Sequence, residues 1–105
     1  MRQGDTTTIE IIFSDSIEDY DLLVAVYDDQ DNEVYRTKLS DEDSHIHPIG
    51  GNGYKIVLPH TLTKHFVGKY NLELLVKSPG STEFVNSGET SVKMNFKACK
   101  LAEGL

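Results

Sequence analysis

Histidine is the residue of this chain best suited to bind a metal ion, and two histidines stand close together. His45 and His47 are separated by one residue, so an extended backbone would place both imidazole rings on the same face. His60 and His65 follow further along the chain. A zinc site needs three or four converging ligands, and the sequence has neither an HExxH motif nor a CxxC pair. We therefore expect loop histidines without a metal; a metal-dependent enzyme built on them is the competing hypothesis.

The acidic run from Asp28 to Glu33 is a second candidate, because clustered carboxylates can hold calcium. The EF-hand loop requires glycine at its sixth position and glutamate at its twelfth. When Asp29 is taken as the first position, this chain has Val34 and Ser40 there. Aspartate and asparagine also form turns through their own side-chain hydrogen bonds. We expect a hydrated hairpin turn here.

Nucleophilic chemistry has few candidates in this sequence. Cys99 is the single cysteine, which excludes an intramolecular disulfide, and its place among lysines at a strand end is typical of an edge residue. The sequence contains no nucleophile elbow, phosphate-binding glycine loop or dinucleotide fingerprint. We expect a protein that is not an enzyme and needs no cofactor.

The charge balance argues against nucleic-acid and membrane partners. Seventeen acidic residues against ten basic ones give a formal net charge of −7 at pH 7. Such a surface repels phosphates unless it carries a basic patch. Lys93, Lys97 and Lys100 are the only basic cluster, and they alternate with apolar residues like the hydrated face of a strand. The sequence shows no signal-peptide pattern and no apolar run of membrane-spanning length. We therefore expect a cytoplasmic or virion-associated protein.

The elements that must position these residues are β-strands. A chain of 105 residues fits one domain, and we expect residues 1–105 to form it, with a flexible tail over residues 98–105. Apolar and polar residues alternate with period two, and turn signals recur about every eight to twelve residues. The sequence predicts strands at Ile9–Phe13, Tyr20–Tyr27, Val34–Ser40, Tyr54–Leu58, Tyr70–Val76, around Phe84–Val85, and at Val92–Ala98.

The connections carry fewer signals. The apolar run Tyr20–Tyr27 is typical of a central strand, and Pro59 should end the strand before it. We expect the polar stretch Asp41–Gly53 to be a loop that ends in a turn. Thr63 is a possible cap for one helical turn over Lys64–Val67. The prediction is an all-β protein, an antiparallel β-sandwich of about seven strands.

Gly68, Tyr70 and Leu72 stand at the start of the most regular strand. Immunoglobulin-like sandwiches often carry a tyrosine two residues before the second cysteine, and its hydroxyl bonds to backbone just upstream. Here Leu72 occupies the cysteine position, and Gly68 permits a sharp entry into the strand. We expect a structural corner; an ordinary helix C-cap followed by an ordinary core aromatic is the alternative.

Three segments resemble one family when they are taken together: the opening RQGDTTT, the stretch LPHTLTKHFVGKYNLELLVK, and the closing SVKMNF. Over about Arg2 to Lys97 the chain resembles the immunoglobulin-like N-terminal domain of phage upper-baseplate and tail-fibre proteins. The resemblance implies a rigid, non-catalytic adaptor that packs on neighbouring copies or on other baseplate proteins. Family members usually continue into further domains, so we expect either a stand-alone adaptor or a shortened relative.

Two functions from different classes remain after the sequence is read. The first is a non-catalytic structural and assembly module, derived from a phage or prophage tail, that acts through protein–protein contacts and self-association. The alternative is an immunoglobulin-like surface domain that binds carbohydrate or peptide in its loops. The absence of tryptophan and of a leader sequence speaks against the alternative.

Overall fold

The computed structural model describes residues 2–13 and 19–97, with residues 86–91 described in their backbone only. The predictions for Cys99, for Lys100 and for a flexible tail over 98–105 lie outside the described residues. Among the residues described, no helix is long and apolar enough to cross a membrane.

Seven strands and one short helix make up the described chain. The strands form two antiparallel sheets, one of three strands in the order β1-β5-β4 and one of four in the order β3-β2-β6-β7. The protein is therefore all-β, as the sequence predicts, and the arrangement is consistent with a β-sandwich. The elements are β1 (Thr7–Ile12), β2 (Asp21–Asp28), β3 (Glu33–Lys38), β4 (Ile46–Gly50), β5 (Gly53–Leu58), α1 (His60–Thr63), β6 (Gly68–Lys77) and β7 (Val85–Phe96).

The core is built from side chains of both sheets. Strand β2 lies between β3 and β6, and every residue from Leu22 to Val26 is buried, which confirms the prediction of a central strand. Because side chains alternate along a strand, Leu22, Val24 and Val26 face the core while their neighbours face outward. The remaining buried residues of the core cluster come from four other strands and from the segment before β6: Ile46, Ile56, Leu58, Phe66, Leu72, Leu74, Met94 and Phe96.

Two strand predictions are wrong. The stretch predicted as a loop contains β4, which pairs with β5 although Pro48 lies within it. Proline cannot donate to a ladder, but an edge strand has one free side, so Pro48 is tolerated there. The two short strands predicted near Phe84 and after Val92 are one strand, β7, whose pairing with β6 shifts register between Glu73 and Leu75.

The helical turn also lies earlier than predicted. Helix α1 spans His60–Thr63 and follows Pro59 at its N-cap, instead of starting after Thr63. The Thr63 side chain is fully buried, and its hydroxyl donates to the backbone oxygen of Asp5 at 2.7 Å. Gln3 donates its side-chain amide to the Lys64 oxygen at 2.6 Å. These bonds hold the N-terminal segment against α1.

Candidate functional site

The predicted corner residues lie at the start of β6, where the chain enters the four-stranded sheet. Gly68 has φ +96°, a conformation that glycine adopts readily and other residues resist. The Tyr70 hydroxyl accepts a hydrogen bond from the Val67 backbone N–H at 3.3 Å. The Tyr70 ring stacks on Phe66 with the ring centroids 4.4 Å apart, and Leu72 is fully buried. Since α1 already ends at Thr63, Gly68 does not cap this helix.

Replacement of Tyr70 by phenylalanine tests the corner. We expect a loss of about 1 kcal/mol in the free energy of unfolding, because the Val67 N–H loses its acceptor while the ring packing stays. Denaturant unfolding of both proteins measures the difference. Tyr54→Phe is the matched control, since its ring packs on Phe13 and its hydroxyl has no hydrogen bond within the described residues. An equal change in both variants, or none in Tyr70→Phe, would contradict a corner role.

The two neighbouring histidines lie in different surroundings. His45 is half-buried beside Tyr35, with the two rings stacked at 5.9 Å and a hydrogen bond between the Tyr35 hydroxyl and Nδ1 of His45. The His45 backbone N–H donates to Oγ1 of Thr37 at 3.1 Å. His47 is exposed on β4, opposite Lys55. No group of three or more potential ligand side chains converges anywhere in the described chain.

The Tyr35–His45 contact joins the two sheets. Tyr35 belongs to β3 in the four-stranded sheet, and His45 leads directly into β4 in the three-stranded sheet. Burial raises the pKa of Tyr35, with smaller contributions from the charges of Asp43 and Asp41, although the hydrogen bond with Thr37 opposes the rise. The Tyr35 phenol therefore stays protonated at neutral pH, and its hydrogen bond with His45 links the two sheets.

The acidic run forms the hairpin turn between β2 and β3, as the sequence predicts. Asp28 Oδ1 accepts the backbone N–H groups of Gln30 and Asn32, each at 2.9 Å. Hydrogen bonding to Asn32 is the largest cause that lowers the pKa of Asp28. A carboxyl with a lowered folded pKa stabilises the fold above its unfolded pKa, and this contribution disappears as the pH falls through the folded value. The carboxylate is thus engaged by its own turn.

A groove that the sequence reading missed lies on the outer face of the four-stranded sheet, the face turned away from the core. Lys69 is opposite Asn95, and Asn71 is opposite Lys93, on strands β6 and β7. These four residues line a groove of about 400 Å³ together with Asp29, Tyr70 and Met94. The sequence contains this signal as two Lys-x-Asn triplets, Lys69–Asn71 and Lys93–Asn95. Only the register of β6 and β7 shows that the two triplets lie opposite each other.

The electrostatics of this groove are uneven. Arg36 and Glu33 form an ion pair on β3, and no ion pair of Lys69 or Lys93 occurs within the described residues. A second depression of about 220 Å³ adjoins the groove at Asn71, and its other lining residues are Tyr27, Asp31 and Glu73. The outer face is therefore basic between β6 and β7 and acidic toward β2.

The edge of β1 is a second feature that stands out on the surface. Ile9, Ile11 and Phe13 pack against the core yet are only half-buried, and Ile12 on the other face is 77% exposed. The Phe13 backbone N–H donates to the backbone oxygen of Asn52, next to β5. Because the backbone groups of successive residues point to opposite sides of a strand, those of Glu10 and Ile12 point away from β5. Within the described sheet order, no strand lies on that side.

The other edge strands of the two sheets carry a proline or basic residues, and β1 carries none of these. Pro48 interrupts the free edge of β4, and Lys93 and Lys97 follow the edge of β7. The end of β7 is also covered, because the Gln3 N–H donates to the Lys97 oxygen at 2.9 Å. Strand β3 carries Arg36 and Lys38. Among the edge strands as far as the structure describes them, β1 is the one without proline, lysine or arginine.

Neither protein-family models nor curated proteins match this sequence.

Proposed function

We propose that this protein is a non-catalytic assembly module with an immunoglobulin-like fold, which joins protein subunits of a phage or prophage tail through the edge of β1. The observation that carries the proposal is this edge itself. Within the described residues no strand pairs with its outward backbone groups, and an added strand would cover its half-buried isoleucines. Native proteins often blunt such edges with lysine or proline, and an edge without them is open to pairing with another strand.

The strand order supports the immunoglobulin-like part of the proposal. If β1 is equated with strand B of that sandwich, the three-stranded sheet reads B-E-D and the four-stranded sheet reads C′-C-F-G. Strand β6 then corresponds to F, and Tyr70 falls near its start with a hydrogen bond to upstream backbone. This is the position of the tyrosine corner in that fold.

The edge of β1 is complementary to itself, which makes a second copy of the chain a suitable partner. In an antiparallel pair with Ile11 on the two-fold axis, Ile11 meets Ile11 of the second copy and Ile9 meets Phe13 of the second copy. All these residues lie on the core side and are apolar. On the outer face Glu10 faces Ile12 of the second copy, so like charges do not meet. A closed two-fold contact of this kind continues the sheet across both copies.

The resemblance to phage baseplate and tail-fibre domains gives this pairing a role. A domain that packs on neighbouring copies, or on the edge strand of another baseplate protein, would position the parts attached to it without performing chemistry. The protein would then be found assembled in a virion or free in the cytoplasm before assembly.

The test is the molar mass of the purified protein as a function of its concentration, measured by light scattering. We expect the mass to rise with concentration for the wild type and to stay monomeric for Ile12→Lys, because a lysine on the free edge opposes strand pairing. Val85→Lys is the control, since Val85 is 57% exposed on a different edge, and it should behave like the wild type. Glu10→Pro should also block pairing, because the Glu10 N–H points away from β5.

Two outcomes would contradict the proposal. A wild type that stays monomeric at high concentration and binds no product of adjacent genes has no assembly function. Association that Ile12→Lys leaves unchanged would show that another surface is responsible.

The alternative function, a surface domain that binds carbohydrate or peptide in its loops, has one observation in its favour, and that observation concerns the outer groove rather than the loops. The side-chain amides of Asn71 and Asn95 both line the outer groove, and an amide can donate and accept hydrogen bonds with sugar hydroxyls. A glycan array distinguishes this function from assembly, because an assembly module of the kind proposed selects no glycan.

A further inference from the structure

We propose that the groove between β6 and β7 binds an extended acidic segment of a partner protein, with a carboxylate held between Lys69 and Lys93. This surface is separate from the edge of β1, because it lies on the outer face of the other sheet. The inference therefore adds a second, heterotypic contact to an assembly module and does not depend on self-association.

The register of the two strands places the lysines where one carboxylate can reach both. Lys69 is opposite Asn95, and Lys93 is two residues before Asn95, so the lysines are diagonal neighbours. Diagonal side chains on an antiparallel pair start about 7–8 Å apart. Two ammonium groups on flexible stems at that separation can converge on one carboxylate through charge-assisted hydrogen bonds.

Two asparagines line the groove beside the lysines. Asn71 and Asn95 occupy the other diagonal of the same four-residue square. Each amide has two donor hydrogens and a carbonyl acceptor, which match the alternating C=O and N–H groups of an extended peptide. Lysines alone would attract any anion, whereas the combination of lysines and amides suits an acidic peptide in particular.

The charges around the groove favour an acidic peptide over a nucleic acid as its partner. The chain has a formal net charge of −7, and Asp29, Asp31 and Glu73 lie on or beside the groove. A nucleic-acid backbone, with a phosphate at every nucleotide, would be repelled along most of this face. A peptide with a few acidic residues can place them over Lys69 and Lys93 and keep them away from the acidic depression beyond Asn71.

The groove is also open rather than enclosed. Small-molecule sites usually bury most of the ligand surface in a concave pocket. Here the floor is a sheet face, and the groove continues past Asn71 into the second depression. An extended chain crossing the strands fits this shape better than a compact ligand does.

The experiment titrates the full chain with a synthetic serine–glycine peptide that carries paired glutamates, followed by NMR. We expect the side-chain amide signals of Asn71 and Asn95 to shift on addition of this peptide and to stay in place on addition of its glutamine counterpart. In Lys69→Gln/Lys93→Gln the affinity should fall about tenfold or more, because charge-assisted hydrogen bonds are lost.

The matched control is Lys55→Gln/Lys64→Gln, which changes the net charge by the same amount on other surfaces and should keep the wild-type affinity. Ile12→Lys should also bind the peptide normally, so that a failure of the β1 proposal and a failure of this one are distinguishable. Equal losses in both double variants would reveal unspecific charge attraction and overturn the inference. Absence of shifts, equal binding of the glutamine peptide, or a preference for a free sugar acid would overturn it as well.

Discussion

Replacement of Phe96 by alanine is expected to remove about 3–5 kcal/mol from the free energy of unfolding. Phe96 is 1% exposed at the end of β7, and its ring meets Phe66 edge-on at 5.3 Å and Tyr70 at 5.7 Å. Truncation leaves a cavity that these two rings cannot fill without leaving their positions at the start of β6. A domain of this size has a total stability of only about 5–15 kcal/mol, so a large part of it would be lost.

Denaturant unfolding followed by tyrosine fluorescence measures this loss. Phe84→Ala is the control, because Phe84 is half-buried outside the core and its ring lies 5.1 Å from Nζ of Lys77. That variant should lose about 1 kcal/mol or less. Similar losses in the two variants would mean that the aromatic cluster of Phe66, Tyr70 and Phe96 does not hold the core together.

Leu72→Ala carries the second-largest expected effect, about 2–5 kcal/mol. Leu72 is fully buried between the two sheets, on the core face of β6. Its neighbour three residues along, Leu75, is half-buried on the outer face opposite Leu23. Leu75→Ala changes the same side chain on the other face of the same strand, and we expect it to lose about 1 kcal/mol.

Thermal and denaturant unfolding of these two variants test how the sheets are stacked. If the two sheets share one core, truncation on the inner face of β6 (Leu72→Ala) should cost more stability than truncation on its outer face (Leu75→Ala). Equal losses, or a larger loss for Leu75→Ala, would indicate that the outer face of the four-stranded sheet is also covered by other parts of the protein.

Local patterns were sufficient to predict the strands that build the core. The continuous apolar run around Val24 predicted a strand that is buried on both faces, as it is. The alternation from Tyr70 to Val76 predicted which side chains of β6 face the core. The turn after β2 was predictable as well, because the Asp28 carboxylate bonds to Gln30 and Asn32, two and four residues further along the chain. Each of these features depends on a few neighbouring residues.

Features that depend on pairing between distant strands were not predictable in this way. Strand β4 contains Pro48 and ends at Gly50, so its local propensity is poor, and only pairing with β5 makes it a strand. Helix α1 follows the signal of Pro59 rather than that of Thr63, whose hydroxyl is used by Asp5, 58 residues away. The groove of Lys69 and Lys93 appears only once the register of β6 and β7 is known.

The bridge between Arg2 and Lys97 has a mechanical consequence. The two segments run parallel, so a force that pulls the chain apart at both ends drags them past each other lengthwise instead of peeling them open. The Gln3–Lys97 backbone bond and the Gln3–Lys64 side-chain bond are then loaded together, and the load spreads into the helix. A domain whose terminal segments are joined in this way is loaded in shear when it is pulled along its own chain, and shear must break these bonds together rather than one after another.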